Sequence, residues 1–206
     1  AADDFAAFLR VYIDARRDDP RDDLITHLIA AEEDGARLST DELIATCILL
    51  LNAGHEATVH TIGNGVRALL EHGLTATPDT AAAVTEEILR FDPPLHMFTR
   101  IAQEEAELFG HRFARGDAVA LLLASAARDP AVCADPDRFD PSRASAPHLS
   151  FGGGPHFCVG APLARLELQI ALPILFDRLP GLRLADAPRY AQTYHFHGLS
   201  ALWLTR

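Results

Sequence analysis

Phe5, Phe8, Leu9 and Tyr12 recur at helical spacing near the start of the chain and predict an amphipathic helix over residues 2–17. Asp18-Asp19-Pro20 interrupts the pattern, and a second helix is predicted over 22–34. The acidic runs Asp18-Asp19 and Glu32-Glu33-Asp34 read as solvated faces and turns. Ser39-Thr40-Asp41-Glu42 offers a capping box, with Ser39 as N-cap and Glu42 reaching back to it. Helical periodicity then persists to His72, where Gly73 supplies a stop. That stretch is about 33 residues, or roughly 50 Å at the α-helical rise, against a globular mean of about 11–12 residues. Its centre is apolar on most sides, which predicts a helix running through the core.

A further helix is predicted over 80–91, stopped by Pro93-Pro94. Short strand-like runs follow at Met97–Gln103, Glu107–Phe109, Arg112–Ala114 and Ala118–Leu122, with Gly110-His111 and Arg115-Gly116-Asp117 as turns. A proline-punctuated meander covers Asp129 to His148, then a glycine-rich loop, a helix from Ala161 to about Arg178, and terminal strands. The fold class is mainly α with a minor β-sheet, without internal repeat or low-complexity segment.

At 206 residues and 49% hydrophobic content, the chain can bury a substantial core. A net charge of −11 without a basic stripe argues against a nucleic-acid partner. Cys47, Cys133 and Cys158 are odd in number and far apart, which argues against a disulfide framework and fits a reducing cytoplasm. The longest apolar run, near Leu43–Leu51, is too short to span a bilayer, so no membrane partner is expected. No signal peptide precedes the first helix, the chain has no initiator methionine, and it opens in mid-pattern; the reading is of a truncated chain.

The densest chemistry lies in Phe151-Gly152-Gly153-Gly154-Pro155-His156-Phe157-Cys158-Val159-Gly160. Three glycines let the backbone approach a flat ligand and take up φ > 0. A cysteine at the start of a helix meets unpaired N–H groups and the positive end of the dipole, which favour an anionic sulfur. The two readings are a metal-bound thiolate and an inert buried cysteine. The spacing F-x-x-G-x-x-x-C-x-G arises by chance on the order of once per thousand chains of this length. In the long helix, Ala53-Gly54-His55-Glu56-Ala57-Thr58 sets a glycine beside an acid and an alcohol. Such a glycine costs about 1 kcal/mol relative to alanine, to be offset by close helix packing or by a groove widened for a small ligand. Glu87 and Arg90 stand three apart on one helix face, within pairing distance. His195-x-His197 lacks a third ligand nearby, and zinc on His148, His156 and Cys158 lacks the usual paired spacing.

The cysteine loop resembles the haem-ligating loop of the cytochrome P-450 family. The Ala53–Thr58 block resembles its oxygen-binding helix, and Glu87-Ile88-Leu89-Arg90 its E-x-x-R element. One departure stands out: the family's threonine position directly after the acid is Ala57, and Thr58 comes one residue later, 100° round the helix. Thr58 is either a proton-relay hydroxyl or a packing one. The resemblance covers nearly the whole chain and implies the C-terminal portion of a single cytochrome P-450 domain over 1–206, with the long central helix and without the N-terminal half.

By this resemblance Cys158 is the axial iron ligand of haem b, in a site shared by Phe151, Gly160 and Ala53, with Arg100 and His156 as propionate partners and His148 in support. Glu56 and Thr58 carry protons. Leu95, Met97, Phe98, Tyr194 and Phe196 touch substrate. Glu87 and Arg90 form a structural pair completed by Arg138, with Arg143 in reserve. The implied activity is a haem-thiolate monooxygenase acting with O2 on a small organic substrate, fed by a ferredoxin-type donor. The alternatives are a non-catalytic haem-binding fragment and a peroxide-driven haem oxidase.

Overall fold

The computed structural model describes residues 2–31, 38–143, 147–193 and 195–206. It falls into two units, Ala1–Glu56 and Ala57–Arg206. The first holds α1 (Ala2–Asp18), α2 (Leu24–Ala31) and the opening turns of α3 (Thr40–Glu71). Its core is the stripe Leu9 and Ile13 of α1 with Ile29 of α2 and Leu43, Ile44 and Cys47 of α3. Asp23 caps α2: one carboxylate oxygen accepts the Thr26 N–H at 2.9 Å, and the other takes Arg16 Nε at 2.6 Å. These two donors hold the Asp23 carboxyl down at about 2. The predicted helix over 22–34 is thus seen as 24–31, and residues 32–37 lie outside the described ones.

The capping box of α3 is formed reciprocally: Glu42 accepts the Ser39 N–H at 2.8 Å and the Ser39 hydroxyl accepts the Glu42 N–H at 3.3 Å. At the other end Gly73 takes φ +65°, and the Leu74 N–H returns to Leu69 O at 2.8 Å. The expectation that the helix centre is buried is not met within this chain. Leu49, Leu51 and Val59 are exposed. The buried residues of α3 lie towards its two ends, Leu43, Ile44 and Cys47 in the first unit and Thr61, Asn64, Val66, Ala68 and Leu69 in the second.

In the second unit α4 (Ala81–Phe91) and α6 (Ala161–Arg178) pack with the end of α3 around Val66, Leu69, Val84, Ile88, Leu168, Leu172 and Phe176. Gly65 permits the approach of α4: a Cβ there would stand 2.6 Å from Ile88 Cδ1. The α4 helix ends at Asp92, whose N–H reaches Ile88 O at 2.9 Å, because Pro93 and Pro94 cannot continue it.

The strands form four two-stranded antiparallel ladders: β1 (Met97–Ile101) with β4 (Ala118–Leu122), β2 (Ala106–Leu108) with β3 (His111–Phe113), β5 (Arg183–Leu184) with β8 (Leu204–Thr205), and β6 (Arg189–Tyr190) with β7 (Leu199–Ala201). A short α5 (Leu123–Ala126) follows β4. The β2–β3 hairpin sits one residue earlier than its predicted strands. Phe109 and Gly110 both have positive φ and make the two-residue turn, which places His111 in the strand. Among the described residues no helix is long and apolar enough to cross a membrane.

Candidate functional site

The Cys158 loop is shaped by its own backbone. Gly152 and Gly154 hold φ of +69° and +62°, values an L side chain rarely adopts, and a 3-10 turn over Gly154–His156 follows. The Gly152 N–H reaches Leu149 O at 2.8 Å, the Phe157 N–H reaches Gly154 O at 3.0 Å, and the Cys158 N–H reaches Phe151 O at 2.9 Å. Gly160 is the N-cap of α6, so Cys158 stands two residues before the cap and three before the first helical residue, Ala161. Its side chain is exposed, whereas Cys47 and Cys133 are buried. Burial pushes the Cys47 thiol up. A Cβ on Gly160 would meet Cys158 Sγ at 3.8 Å, an ordinary contact.

This donor set fits a haem iron held through one axial thiolate. The site offers a single accessible sulfur, with Phe157, Val159 and Leu163 exposed near it in sequence to meet a flat apolar ring. His156 is exposed on the same loop. Arg100 is exposed in β1, its guanidinium donating to Thr99 O at 3.1 Å.

Behind the loop stands a polar cluster that sequence reasoning missed apart from His148. Arg165 of α6 binds Glu86 of α4 through Nε–Oε1 at 2.6 Å and Nη2–Oε2 at 3.0 Å, and its guanidinium lies 4.6 Å from the Phe151 ring centroid. The Ser150 N–H donates to His148 Nδ1 at 3.3 Å, which leaves the proton on Nε2 to donate to Glu86 Oε2 at 3.1 Å. His148 and then Arg165 hold the Glu86 carboxyl down at about 2. The sequence signal was weak: Glu86 and Arg165 are two among several charged residues on α4 and α6.

In α3, Ala53 and Glu56 are exposed and belong to the first unit. Thr58 belongs to the second, where its hydroxyl donates to Glu167 Oε2 at 3.2 Å. Glu167 was not anticipated, although an acid between Leu166 and Leu168 was its signal.

Glu87 and Arg90 are paired and buried, and the third member is corrected. Arg143, not Arg138, reaches Glu87, Nε to Oε1 at 3.3 Å. The Arg138 side chain is 69% exposed and turns to Asp140 at 3.5 Å. What Arg138 gives the pair is its carbonyl, which accepts Arg90 Nη2 at 3.1 Å. The meander turns there, so the backbone at 138 faces α4 while its side chain faces solvent.

Of the predicted substrate contacts, Leu95 and Phe196 meet across an isolated antiparallel bridge. Phe98 lies edge-on to His195 with centroids 5.7 Å apart, Met97 is half-buried, and Tyr194 lies outside the described residues. Asp92, His96 and His197 bring donor atoms within 4.8 Å of one another. The rings of His96 and His197 stack at 4.0 Å and 26°, so their lone pairs lie in two nearly parallel planes. Asp92 is already engaged by His197 at 3.1 Å, by Tyr190 Oη at 2.5 Å and by Arg67 at 3.1 Å. Burial works against the Asp92 charge, yet these partners keep its carboxyl below the usual range, while burial and Asp92 push the Tyr190 phenol up. The cluster is an ion-pair network tying α4 to the terminal strands.

The family model for cytochrome P450 matches residues 80–179. The biotin biosynthesis cytochrome P450 of Bacillus subtilis (strain 168) is 42% identical over 205 residues, covering 97% of this chain and 52% of that protein. The cytochrome P450 monooxygenase PikC of Streptomyces venezuelae is 42% identical over 197 residues, covering 90% and 46%. Among solved structures, Mycobacterium smegmatis CYP164A2 with econazole bound superposes with a TM-score of 0.90 at 46% identity, over 98% of this chain and 52% of that one. P450BioI, in complex with acyl carrier protein ligated to hexadec-9Z-enoic acid, gives 0.92 at 41% identity, over 99% and 54%. The chain spans about half the length of the curated relatives it matches.

Proposed function

We propose, given that this chain belongs to the cytochrome P450 family, that it forms the thiolate-ligating portion of a haem monooxygenase, with residues 1–206 as part of one domain of that fold. The reaction inserts one atom of O2 into a C–H bond of a small organic substrate and reduces the other to water. It consumes two electrons from a ferredoxin-type donor and two protons, in a reducing cytoplasm. One observation carries the reading: of three cysteines, only Cys158 is exposed, at the tip of a glycine loop that opens onto the start of α6.

Haem, when bound, supplies the redox-active iron, and thiolate ligation favours O–O cleavage. The chain's own residues do the rest. The Cys158 N–H, held to Phe151 O, fixes the backbone that aims the sulfur. Phe151 and Gly160 would line the cofactor, and Arg100 and His156, both exposed, would meet its propionates. Thr58 spends its hydroxyl proton on Glu167, so its lone pairs can accept from water, and Glu56 serves as the acid that passes protons inward. Leu95, Met97, Phe98 and Phe196 offer the apolar wall for substrate. The exposed apolar faces of α3 and α6 are covered by the portion of fold that the longer relatives possess.

In the full-length protein, reduced and treated with carbon monoxide, Cys158→Ser abolishes the red-shifted Soret band of thiolate ligation and Cys47→Ser leaves it. A retained band in Cys158→Ser overturns the assignment.

A further inference from the structure

We propose that Arg165 is a positioning residue for the Cys158 loop, acting through the face of Phe151 and held there by Glu86 and His148; this rests on the haem-thiolate reading above. The loop has a mechanical weakness. Gly152, Gly153 and Gly154 give it the shape it needs but no side chain to hold that shape. Phe151 is the anchor, since its carbonyl accepts the Cys158 N–H at 2.9 Å and its ring stands 6.4 Å from that of Phe157. Whatever fixes Phe151 fixes the backbone from which the sulfur projects.

Arg165 is built for that task. Its planar fork takes both oxygens of Glu86, at 2.6 and 3.0 Å, which leaves the flat face of the guanidinium to lie on the Phe151 ring at 4.6 Å. Glu86 cannot swing away, because His148 donates to it at 3.1 Å and is itself tethered by the Ser150 N–H. The Ser150 hydroxyl then donates to Leu89 O at 2.5 Å. The loop is therefore fastened to one face of α4 through Ser150, His148 and Phe151, and Arg165 is the clasp that closes the circuit from α6. Arg165 touches neither cofactor nor substrate in this account.

The test uses full-length haem-loaded protein as its reduced carbon monoxide complex. The rate at which the red-shifted Soret band decays to the blue-shifted band of the thiolate-free complex is followed. Arg165→Gln is expected to decay about fivefold faster, the size of one partly desolvated cation–π contact. In a Phe151→Leu background the same change is expected to add nothing, because the ring through which Arg165 acts is gone. A purely structural arginine would instead accelerate decay equally in both backgrounds, and that result overturns the proposal. So does an unchanged rate in Arg165→Gln. If Arg165→Gln does not fold, Glu86→Gln carries the test: it leaves the guanidinium present but unheld, and an unchanged decay rate overturns the proposal. Wild-type protein that never shows the red-shifted band defeats the haem-thiolate reading itself. A normal wild-type band with indifferent Arg165 variants defeats this inference alone.

Discussion

Arg90 and Glu87 form a two-pronged ion pair inside the second unit, Nε to Oε2 and Nη2 to Oε1 both at 2.8 Å, with side chains 0% and 2% exposed. Neither charge has water to fall back on, so the protein supplies every other partner. Arg90 donates to the carbonyls of Ala127, Pro136 and Arg138, and Glu87 accepts the Asp140 N–H at 2.7 Å and Arg143 Nε at 3.3 Å. The pair is the joint between α4 and the meander that leads to the cysteine loop. Its role is structural, and it satisfies the backbone of a segment with little regular structure.

Removing one partner leaves the other charge buried and uncompensated. Glu87→Ala in the full-length protein is expected to cost about 3–5 kcal/mol and to lower haem retention. Denaturant melts followed by circular dichroism and by haem absorbance check this. A fully haem-loaded variant with unchanged melting would contradict it.

The same geometry separates two arginines that look equivalent in sequence. Arg143 is 13% exposed on its side chain and reaches Glu87, whereas Arg138 is 69% exposed. Arg143→Ala should cost about 1–3 kcal/mol, as befits a lost buried charged hydrogen bond. Arg138→Ala should stay within about 0.5 kcal/mol, because its useful atom is a carbonyl that alanine keeps. The reverse order in urea melts would restore Arg138 as the third member.

Glu86 gives the cluster behind the loop a pH signature. Its folded carboxyl titrates at about 2, below the ordinary 4.5, because His148 and Arg165 stabilise its charge. A depressed folded value means the stabilisation is fully present above pH 4.5 and is lost as pH falls towards 2. Stability should therefore fall less steeply between pH 4.5 and 3 in Glu86→Gln than in the wild type, with the curves parallel above pH 5. Parallel curves throughout would show that Glu86 gains nothing from its partners.

The helices and their ends were legible because they are local. Ser39, Glu42, Gly73 and Pro93-Pro94 act on their own neighbours, and the structure places α3 and α4 between them. The cysteine loop was legible because glycine spacing encodes backbone shape. What was not legible is long-range pairing. Arg138 and Arg143 both follow the meander prolines, and only the turn of the backbone decides which points at Glu87. Arg165 with Glu86, and Thr58 with Glu167, join residues 79 and 109 apart. No periodicity within one helix reveals which acid on another it meets.

The Thr58–Glu167 contact changes what the displaced threonine should do. If the hydroxyl acts with Glu167, Thr58→Ala and Glu167→Gln should reduce the fraction of electrons that reach product by similar factors. The double variant should then be no worse than either single one. Glu56→Ala should have the larger effect, and Ala57→Thr should alter coupling without being required for turnover. Product formed per NADH consumed measures all of these. Additive losses in the double variant would show that Thr58 and Glu167 act separately.

The last expectation concerns the apolar side chains that these 206 residues leave uncovered. Leu163, Leu166, Ile170 and Ile174 lie along one face of α6 at spacings of three and four, each 46% to 59% exposed, while Leu168, Leu172 and Phe176 on the same helix are buried. Leu49, Leu51 and Val59 are also exposed on α3, at positions spread round the helix. A helix apolar on opposite sides belongs in an interior, and contiguous apolar surface beyond a few hundred Å2 marks an interface or an aggregation site. Expressed alone, the 206-residue chain should therefore self-associate, bind haem weakly and fail to hydroxylate. Supplying the rest of a family-length chain, in cis or as a second polypeptide, should yield a monodisperse haem protein. Sedimentation and haem titration of the two preparations decide the matter. A monodisperse 206-residue monomer with stoichiometric haem and steady ferredoxin-linked turnover would show that those faces need no cover.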